Sequence, residues 1–362
     1  MTPVRARARV WCVIRAARRI QDSSDVLGQE ARARLPSVTS LSSESIELAL
    51  REHLETRPTE AELDALLAST TEAPVCHVVL SANVFTAPLR ALALAVATSE
   101  RVYVRPSRRD PVVTELLVKA LADDPEFALH GGHVEIVESI RPEPLHELHL
   151  YGSDESIASI TAGLPPGVVV RAHGTGIGIA VIGASVDIGS AANALARDVV
   201  VFDQRGCLSP RFAFVEGDAV RAEVFALALH EALGRLAERY PRGVMDSGLQ
   251  AEMAQYRATM QAIGSYWSHS SHAVGLDPAP RALVLPPAAR FVHVVPANVQ
   301  NIEALLSPWI RYVTAAGMDD EGELASAILK LVPNARVSRL GCMQRPLLDG
   351  PVDRRTSLHV AR

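Results

Sequence analysis

Residues 202–211 read Phe202-Asp-Gln-Arg-Gly-Cys-Leu-Ser-Pro-Arg211, a polar, glycine-bearing break between two strongly apolar runs. Asp198-Val-Val-Val-Phe202 precedes it and Phe212-Ala-Phe-Val215 follows. Both runs are short, rich in β-branched and aromatic residues and bounded by turn formers, so both are expected to be buried strands. A cysteine on such a turn, directly after a glycine, can offer its sulfur to a ligand. A thiol of ordinary pKa about 8.5 becomes a nucleophile when backbone N–H groups or a cation stabilise its thiolate. The plainer alternative makes Cys207 a small buried hydrophobe, as most cysteines outside disulfides are.

Working outward, the same pattern of short apolar runs recurs. Cys76-His-Val-Val-Leu80, Arg101-Val-Tyr-Val104, Val134–Val137, His149-Leu-Tyr151, Val168–Arg171, Ile179–Ile182 and Val199–Val201 read as strands. Pro88–Ala97 and Val112–Leu121 read as helices between them. Alternating strands and helices at this spacing imply βαβ units and a largely parallel sheet. Ligands of such sheets sit at the C-terminal edge of the strands, where the turns at Asn83, Arg105, Gly152 and Gly206 are expected. Further on, 218–260 is helical in pattern, Ser265–His272 is a polar aromatic stretch, Ala282–Leu285 and Phe291–Val295 read as strands, and Ile302–Leu306 and Leu324–Leu331 as helices.

Residues 1–73 form a helical preface, with Thr59-Glu-Ala-Glu62 a capping-box-like start. Its first 21 residues carry six arginines and no acid before Asp22, a pattern also open to a transit peptide or a contact with an anionic surface, but they lack the apolar h-region of a secretory signal, so a solvated or poorly ordered first helix is expected.

At 362 residues, 48% apolar and 21% charged, the chain is long enough for two domains with full cores. A net charge of −5 argues against a nucleic-acid binder. No apolar run approaches the roughly 18–20 residues of a membrane span. Four scattered cysteines form no CxxC and no zinc spacing, so neither disulfide framework nor metal site is indicated and a cytoplasmic location fits. His269 and His272 lack a third ligand nearby in sequence.

Several stretches have two readings. His173-Gly-Thr-Gly-Ile-Gly fails the GxGxxG spacing, because the sixth position from Gly174 is Ile179. Gly152-Ser153 follows a strand and precedes a helix, which suits a pyrophosphate as well as an ordinary cap. Arg105, Arg108 and Arg109, with Ser107 between them, could grip a phosphate or form a solvated basic turn. Asn83 could donate its amide to an oxyanion or serve turn geometry alone.

Taken in order, these features resemble the LuxC-type acyl-CoA reductases, a branch of the aldehyde dehydrogenase superfamily. The resemblance runs from about Val75 to Arg355 and is carried by Tyr103–Pro111, Tyr151–Ser156, His173–Gly176, Asp203–Arg211 and Arg336–Gly341. It implies an aldehyde-dehydrogenase-like α/β fold. A Rossmann-type parallel-sheet cofactor domain would span 74–175, an α/β catalytic domain carrying the nucleophilic cysteine 176–345, and a tail 346–362. It further implies Cys207 as the nucleophile, Asn83 as the oxyanion donor, Arg105 at the adenosine ribose, Arg108 at a 2′-phosphate, and Gly152 and Ser153 at the pyrophosphate.

The implied activity is NADPH-dependent reduction of a fatty acyl thioester, acyl-CoA or another, to the aldehyde, by a homo-oligomer or within a multienzyme reductase complex. His173 falls where oxidising relatives carry a general-base glutamate, which fits thiol exchange in place of hydrolysis, and an imidazole of ordinary pKa about 6.5 could still relay protons. No stretch matches the superfamily's Glu-Ile-Phe-Gly-Pro motif, and the N-terminal region is short for the family. The alternatives are oxidation of an aldehyde to the acid and a degenerate relative serving as a complex subunit. Acid release without CoA marks the first; failure to bind cofactor marks the second.

Overall fold

The computed structural model describes residues 3–355 and 358–361. They fall into two units, one of residues 3–39, 46–175, 347–355 and 358–361, the other of 40–45 and 176–346.

The first unit opens with helices α1 (Pro3–Gln21), α2 (Val26–Thr39), α3 (Ser43–Glu52) and α4 (Glu60–Ala68). Then come β1 (Cys76–Val79), α5 (Ala87–Thr98), β2 (Arg101–Arg105), α6 (Val112–Ala122), α7 (Pro125–Leu129), β3 (His133–Ile136), β4 (Glu147–Tyr151), α8 (Asp154–Ala162) and β5 (Val169–His173). The strands lie in the order β5-β4-β1-β2-β3, all parallel. Leu358–Val360 adds an antiparallel edge beside β5. This is a Rossmann-type order, with its topological switch between β1 and β4.

Helix α1 departs from the expectation of a solvated start. Val10, Cys12, Val13, Ile14, Ala17 and Ile20 are buried, and α1 packs on α5, itself buried nearly all round. Arg9 is fully buried because its guanidinium donates to the carbonyls of Val96 (2.9 Å) and His130 (3.0 Å). Arginine heads thus satisfy backbone acceptors while the apolar positions between them form the core-facing stripe. Residues 347–350 are tied to this unit as well. Arg90 donates to the carbonyls of Leu347 (2.6 Å) and Gly350 (2.5 Å), and Leu348 N–H to Glu62 (3.2 Å).

The second unit is a seven-stranded sheet among the described residues. Its elements are β6 (Ile177–Ile182), α9 (Ile188–Val200), β7 (Pro210–Glu216), α10 (Ala219–Arg239), α11 (Ser247–Ile263), β8 (Ser265–His269), β9 (His272–Leu276), β10 (Phe291–Ala297), α12 (Ile302–Leu306), β11 (Val313–Met318), α13 (Glu323–Leu331) and β12 (Arg336–Ser338). The order is β12-β11-β6-β7-β10-β9-β8, parallel except for the β8–β9 hairpin. One face packs on α9 and α10, the other on α12 and α13.

Three expectations fail in this unit. Asp198–Phe202 is not a strand: Asp198–Val200 ends α9 and Val201–Gln204 is a 3-10 turn. In α9, Ile188, Ala191, Ala192, Leu195, Ala196 and Val199 repeat at helical spacing and face the core, whereas Gly189, Ser190, Asn193 and Arg197 face out. Its valines are the all-buried last turn of that helix. Ala282–Leu285 forms no strand either; it lies between Pro278, Pro280, Pro286 and Pro287, which supply no N–H to a ladder. Conversely, Ser265–His269 is a strand paired with β9.

Candidate active site

In the first unit, every site residue expected from the sequence there lies in a loop or strand end on the C-terminal edge of the parallel sheet. Asn83 is exposed in the loop after β1. After β2 the chain makes a tight turn, in which Ser107 Oγ accepts from Arg109 N–H (3.3 Å) and the Ser107 carbonyl from Asp110 N–H (3.3 Å). This places Arg108 and Arg109 exposed at the tip, with Arg105 half-buried at the strand end. None of the three arginines has a carboxylate partner among the described residues, unlike Arg7, Arg15, Arg32, Arg34 and Arg90 of the same unit. Asp110, in the same turn, is buried, and burial pushes its carboxyl up to about 6.

Gly152 follows β4. A Cβ there would meet only Ser156 Cβ, at 3.7 Å, so the space over this backbone is open. Ser153 caps α8, its hydroxyl accepting from Ser156 N–H at 3.2 Å. The N–H groups of Asp154 and Glu155, in the first turn, have no intrahelical acceptor and are oriented for an anion. Asp154 is engaged by Thr175 N–H (2.7 Å). Open backbone at Gly152, a helix start and three arginines without a carboxylate partner among the described residues could hold the phosphates of a dinucleotide.

His173 ends β5, buried and stacked on Tyr151 with centroids 4.3 Å apart and planes 8° apart. Neither ring nitrogen has a hydrogen-bond partner among the described residues. Burial, reinforced by His149, pushes its pKa down to about 3. The proton relay expected of an imidazole near 6.5 is therefore weakened: His173 is neutral and a poor base at neutral pH. Below it on the same faces of β4 and β5, buried Glu147 accepts from Arg171 Nε (2.5 Å) and His149 Nε2 (2.8 Å). Burial pushes Glu147 up, but these donors prevail and hold it below the usual carboxylate range.

Cys207 belongs to the second unit. Its turn follows a helix and precedes β7, so it stands at the N-terminal edge of that sheet and not at the C-terminal edge expected from the misread strand. Phe202, Asp203 and Gln204 are consecutive non-glycine residues with φ of 53°, 50° and 64°. Such backbone costs on the order of 1–3 kcal/mol per residue and persists only where surroundings hold it. Here Asp203, buried, pairs with Arg290 (Nε to Oδ1 2.8 Å) and accepts from Gly243 N–H (2.9 Å). Arg290, also fully buried, donates to the Tyr240 carbonyl (2.6 Å).

Gln204 bonds two strand starts with one amide. Its Nε2 donates to the carbonyls of Pro210 (2.6 Å) and Phe291 (2.7 Å), and its Oε1 accepts from Phe291 N–H (2.8 Å). Ser209 N–H then donates to Gly206 O (3.0 Å), closing a turn with half-buried Cys207 inside it. The Cys207 carbonyl accepts from the buried Thr314 hydroxyl, which also lies 3.0 Å from Ile177 O. A Cβ on Gly176 would overlap Thr314 and approach Cys207 Cβ to 3.1 Å, so this position requires glycine.

Asp203, Gln204, Arg290 and Thr314 were not singled out from the sequence. Asp203 and Gln204 at least signal themselves as polar residues against an apolar run; Arg290 and Thr314 carry no local sign. Elsewhere in this unit, His272 Nε2 lies 3.0 Å from His230 Nδ1, and burial holds His272 near 4. Among the described residues no group of three or more His, Cys, Asp or Glu is arranged to hold a metal.

The architecture is that of the aldehyde dehydrogenases. An NAD-dependent benzaldehyde dehydrogenase from Corynebacterium glutamicum superimposes with a TM-score of 0.68 at 14% identity, covering 100% of this chain and 85% of that one. A propionaldehyde dehydrogenase from Rhodopseudomonas palustris, solved with CoA bound and an acylated cysteine, gives 0.61 at 15% identity, covering 97% and 84%. Within that fold, the chain belongs to the acyl-CoA reductase (LuxC) family, whose model matches residues 46–353. It is also 25% identical over 178 residues to a long-chain acyl-protein thioester reductase of Photorhabdus laumondii, a match spanning 46% of this chain and 36% of that protein.

Proposed function

We propose that the protein reduces a fatty acyl thioester, acyl-CoA or another, to the aldehyde with NADPH, through an acyl thioester on Cys207. The observation that carries this reading is His173. Where the resemblance matches oxidising relatives' carboxylate base, this chain has a buried imidazole pushed down to about 3. So weak a base activates water poorly, and an acyl-enzyme spared hydrolysis survives for reduction.

The Cys207 thiolate adds to the thioester carbonyl, and the oxyanion is assigned to the Asn83 amide and backbone N–H. The bond to the CoA sulfur breaks, and CoA leaves with a proton. When bound, the reduced nicotinamide supplies the hydride that the acyl carbon accepts. The hemithioacetal left on Cys207 then re-forms its carbonyl as the C–S bond breaks, which releases aldehyde and returns the thiolate. Sulfur suits both roles, being polarisable in attack and a good leaving group in collapse. Arg105 and Arg108, on the turn shaped by Ser107, are assigned to the adenosine ribose and its 2′-phosphate, and Gly152 and Ser153 to the pyrophosphate.

Among the described residues no helix is long and apolar enough to cross a membrane. We place the enzyme in the cytoplasm, where a thiol nucleophile stays reduced. Val220, Val224 and Leu227, exposed along one face of α10, support a homo-oligomer or a multienzyme complex.

The test is intact-protein mass spectrometry after mixing with acyl-CoAs of graded length. The wild type is expected to gain one acyl group and Cys207→Ala none, with reductase turnover lost in the variant. Retained turnover in Cys207→Ala would end this reading. Acid release from aldehyde and NADP without CoA would favour the oxidative one.

A further inference from the structure

We infer that Gln204 and Thr314, together with the buried Asp203–Arg290 pair, are positioning residues that fix the direction in which Cys207 is presented. The inference rests on Cys207 as the acyl acceptor. Three consecutive left-handed residues lead into its turn, a conformation that needs outside restraint to persist. The restraint comes from buried side chains that bond the turn to neighbouring strands and loops. Gln204 makes three hydrogen bonds to the starts of β7 and β10, so the turn cannot move without breaking bonds at both. Asp203 is fixed at both oxygens, by Arg290 and by Gly243 N–H.

On the other side of the cysteine, the Thr314 hydroxyl bonds the Cys207 carbonyl itself. Gly178 N–H donates to Ser209 O (2.9 Å) and anchors the exit of the turn to β6. The backbone of Cys207 is thus restrained before and after, while its side chain stays half-exposed. A sulfur that must attack a carbonyl, hold the acyl group and then leave needs one bearing through two tetrahedral stages. Misplacement by about 1 Å can cost on the order of a hundredfold in rate.

The test uses the full-length protein and iodoacetamide, which reports the thiol without acyl substrate or cofactor. Alkylation of Cys207 is followed by peptide mass spectrometry from about pH 6 to 9, the range around an ordinary thiol pKa. Gln204→Met keeps the length and removes three hydrogen bonds; Thr314→Val keeps the shape and removes the hydroxyl. Each is expected to change the alkylation rate about tenfold or displace its pH profile by about a unit, and to lower kcat for acyl-CoA reduction about tenfold. KM for NADPH should stay within about twofold, the pattern of an interaction that acts on chemistry and not on cofactor binding. Leu305→Ala, in the α12 core of the same unit, should lower Tm and leave the alkylation profile unchanged.

Wild-type alkylation and kcat in both variants overturn the inference. So does a shifted profile in Leu305→Ala, which would reduce the effect to lost stability. If Gln204→Met does not fold, Thr314→Val decides alone. Acyl uptake by Cys207→Ala would refute the functional reading and leave the alkylation test of positioning intact.

Discussion

Arg108 stands at the tip of a turn whose geometry is set by its neighbours, Ser107 and Asp110, and its guanidinium has no ion-pair partner among the described residues. Substitution there should change stability by no more than about 0.5 kcal/mol, so an effect on cofactor choice can be read cleanly. Arg108→Glu is expected to lower the NADPH-to-NADH ratio of kcat/KM about tenfold or more, by replacing a phosphate partner with a repelling carboxylate. An unchanged ratio would remove Arg108 from the 2′-phosphate. At this scale, legibility follows the range of the interactions. The turn at 105–110 and the cap at Ser153 are local chemistry and readable from a few residues. The bonds that hold the Cys207 turn join Asp203 to a residue 87 positions away and Cys207 to one 107 positions away, and no local pattern announces such partners.

Among the elements, the parallel strands of the first unit are readable because β-branched runs there are bounded by turn formers on both sides. Helix α9 is not. Its end, Asp198-Val-Val200, and Val201 just beyond it have strand composition and are buried, and only the alanine-rich stripe upstream betrays the helical period. That misreading places Cys207 at the wrong sheet edge. The burial of helix α1 is missed for the converse reason. Its arginines suggest solvent, but Arg9 is spent on the carbonyls of Val96 and His130. In β8, alternate polar residues look like loop until β9 supplies the partner that makes them an edge strand.

For the molecule as a whole, buried titratable groups set the pH dependence of stability. Burial pushes His77, His272 and His293 down to about 4, and burial with His149 pushes His173 to about 3. Their unfolded values are about 6.5, so the stability they contribute is complete above about pH 6.5 and lost as pH falls through 4. Burial also pushes Asp110 up to about 6 and Asp198 to about 7, the latter against donors from Gly341 and Met343. Those carboxyls act with the opposite sign: their contribution is present at low pH and lost as pH rises through 6 and 7. Four histidines outweigh two carboxyls between about pH 4 and 6.5. Tm should be highest near about pH 6.5–7 and fall steadily toward pH 4, more steeply in Asp198→Asn, which lacks the compensating proton. A Tm that rises on acidification over that range would contradict the assignment.

The return of residues 347–355 and 358–361 to the first unit has a consequence for folding. Residues 40–45 and 176–346 hold every described strand of the second sheet, whereas the first unit takes partners for Arg90 and Glu62 and a strand beside β5 from the C-terminal segment. The second unit is therefore expected to fold without the C-terminal segment, and the first to require it. A chain stopped after Pro346 should yield a trypsin-resistant fragment beginning near residue 176, with the preceding residues digested. Equal resistance of both parts would show that the N-terminal half does not wait for its closing segment.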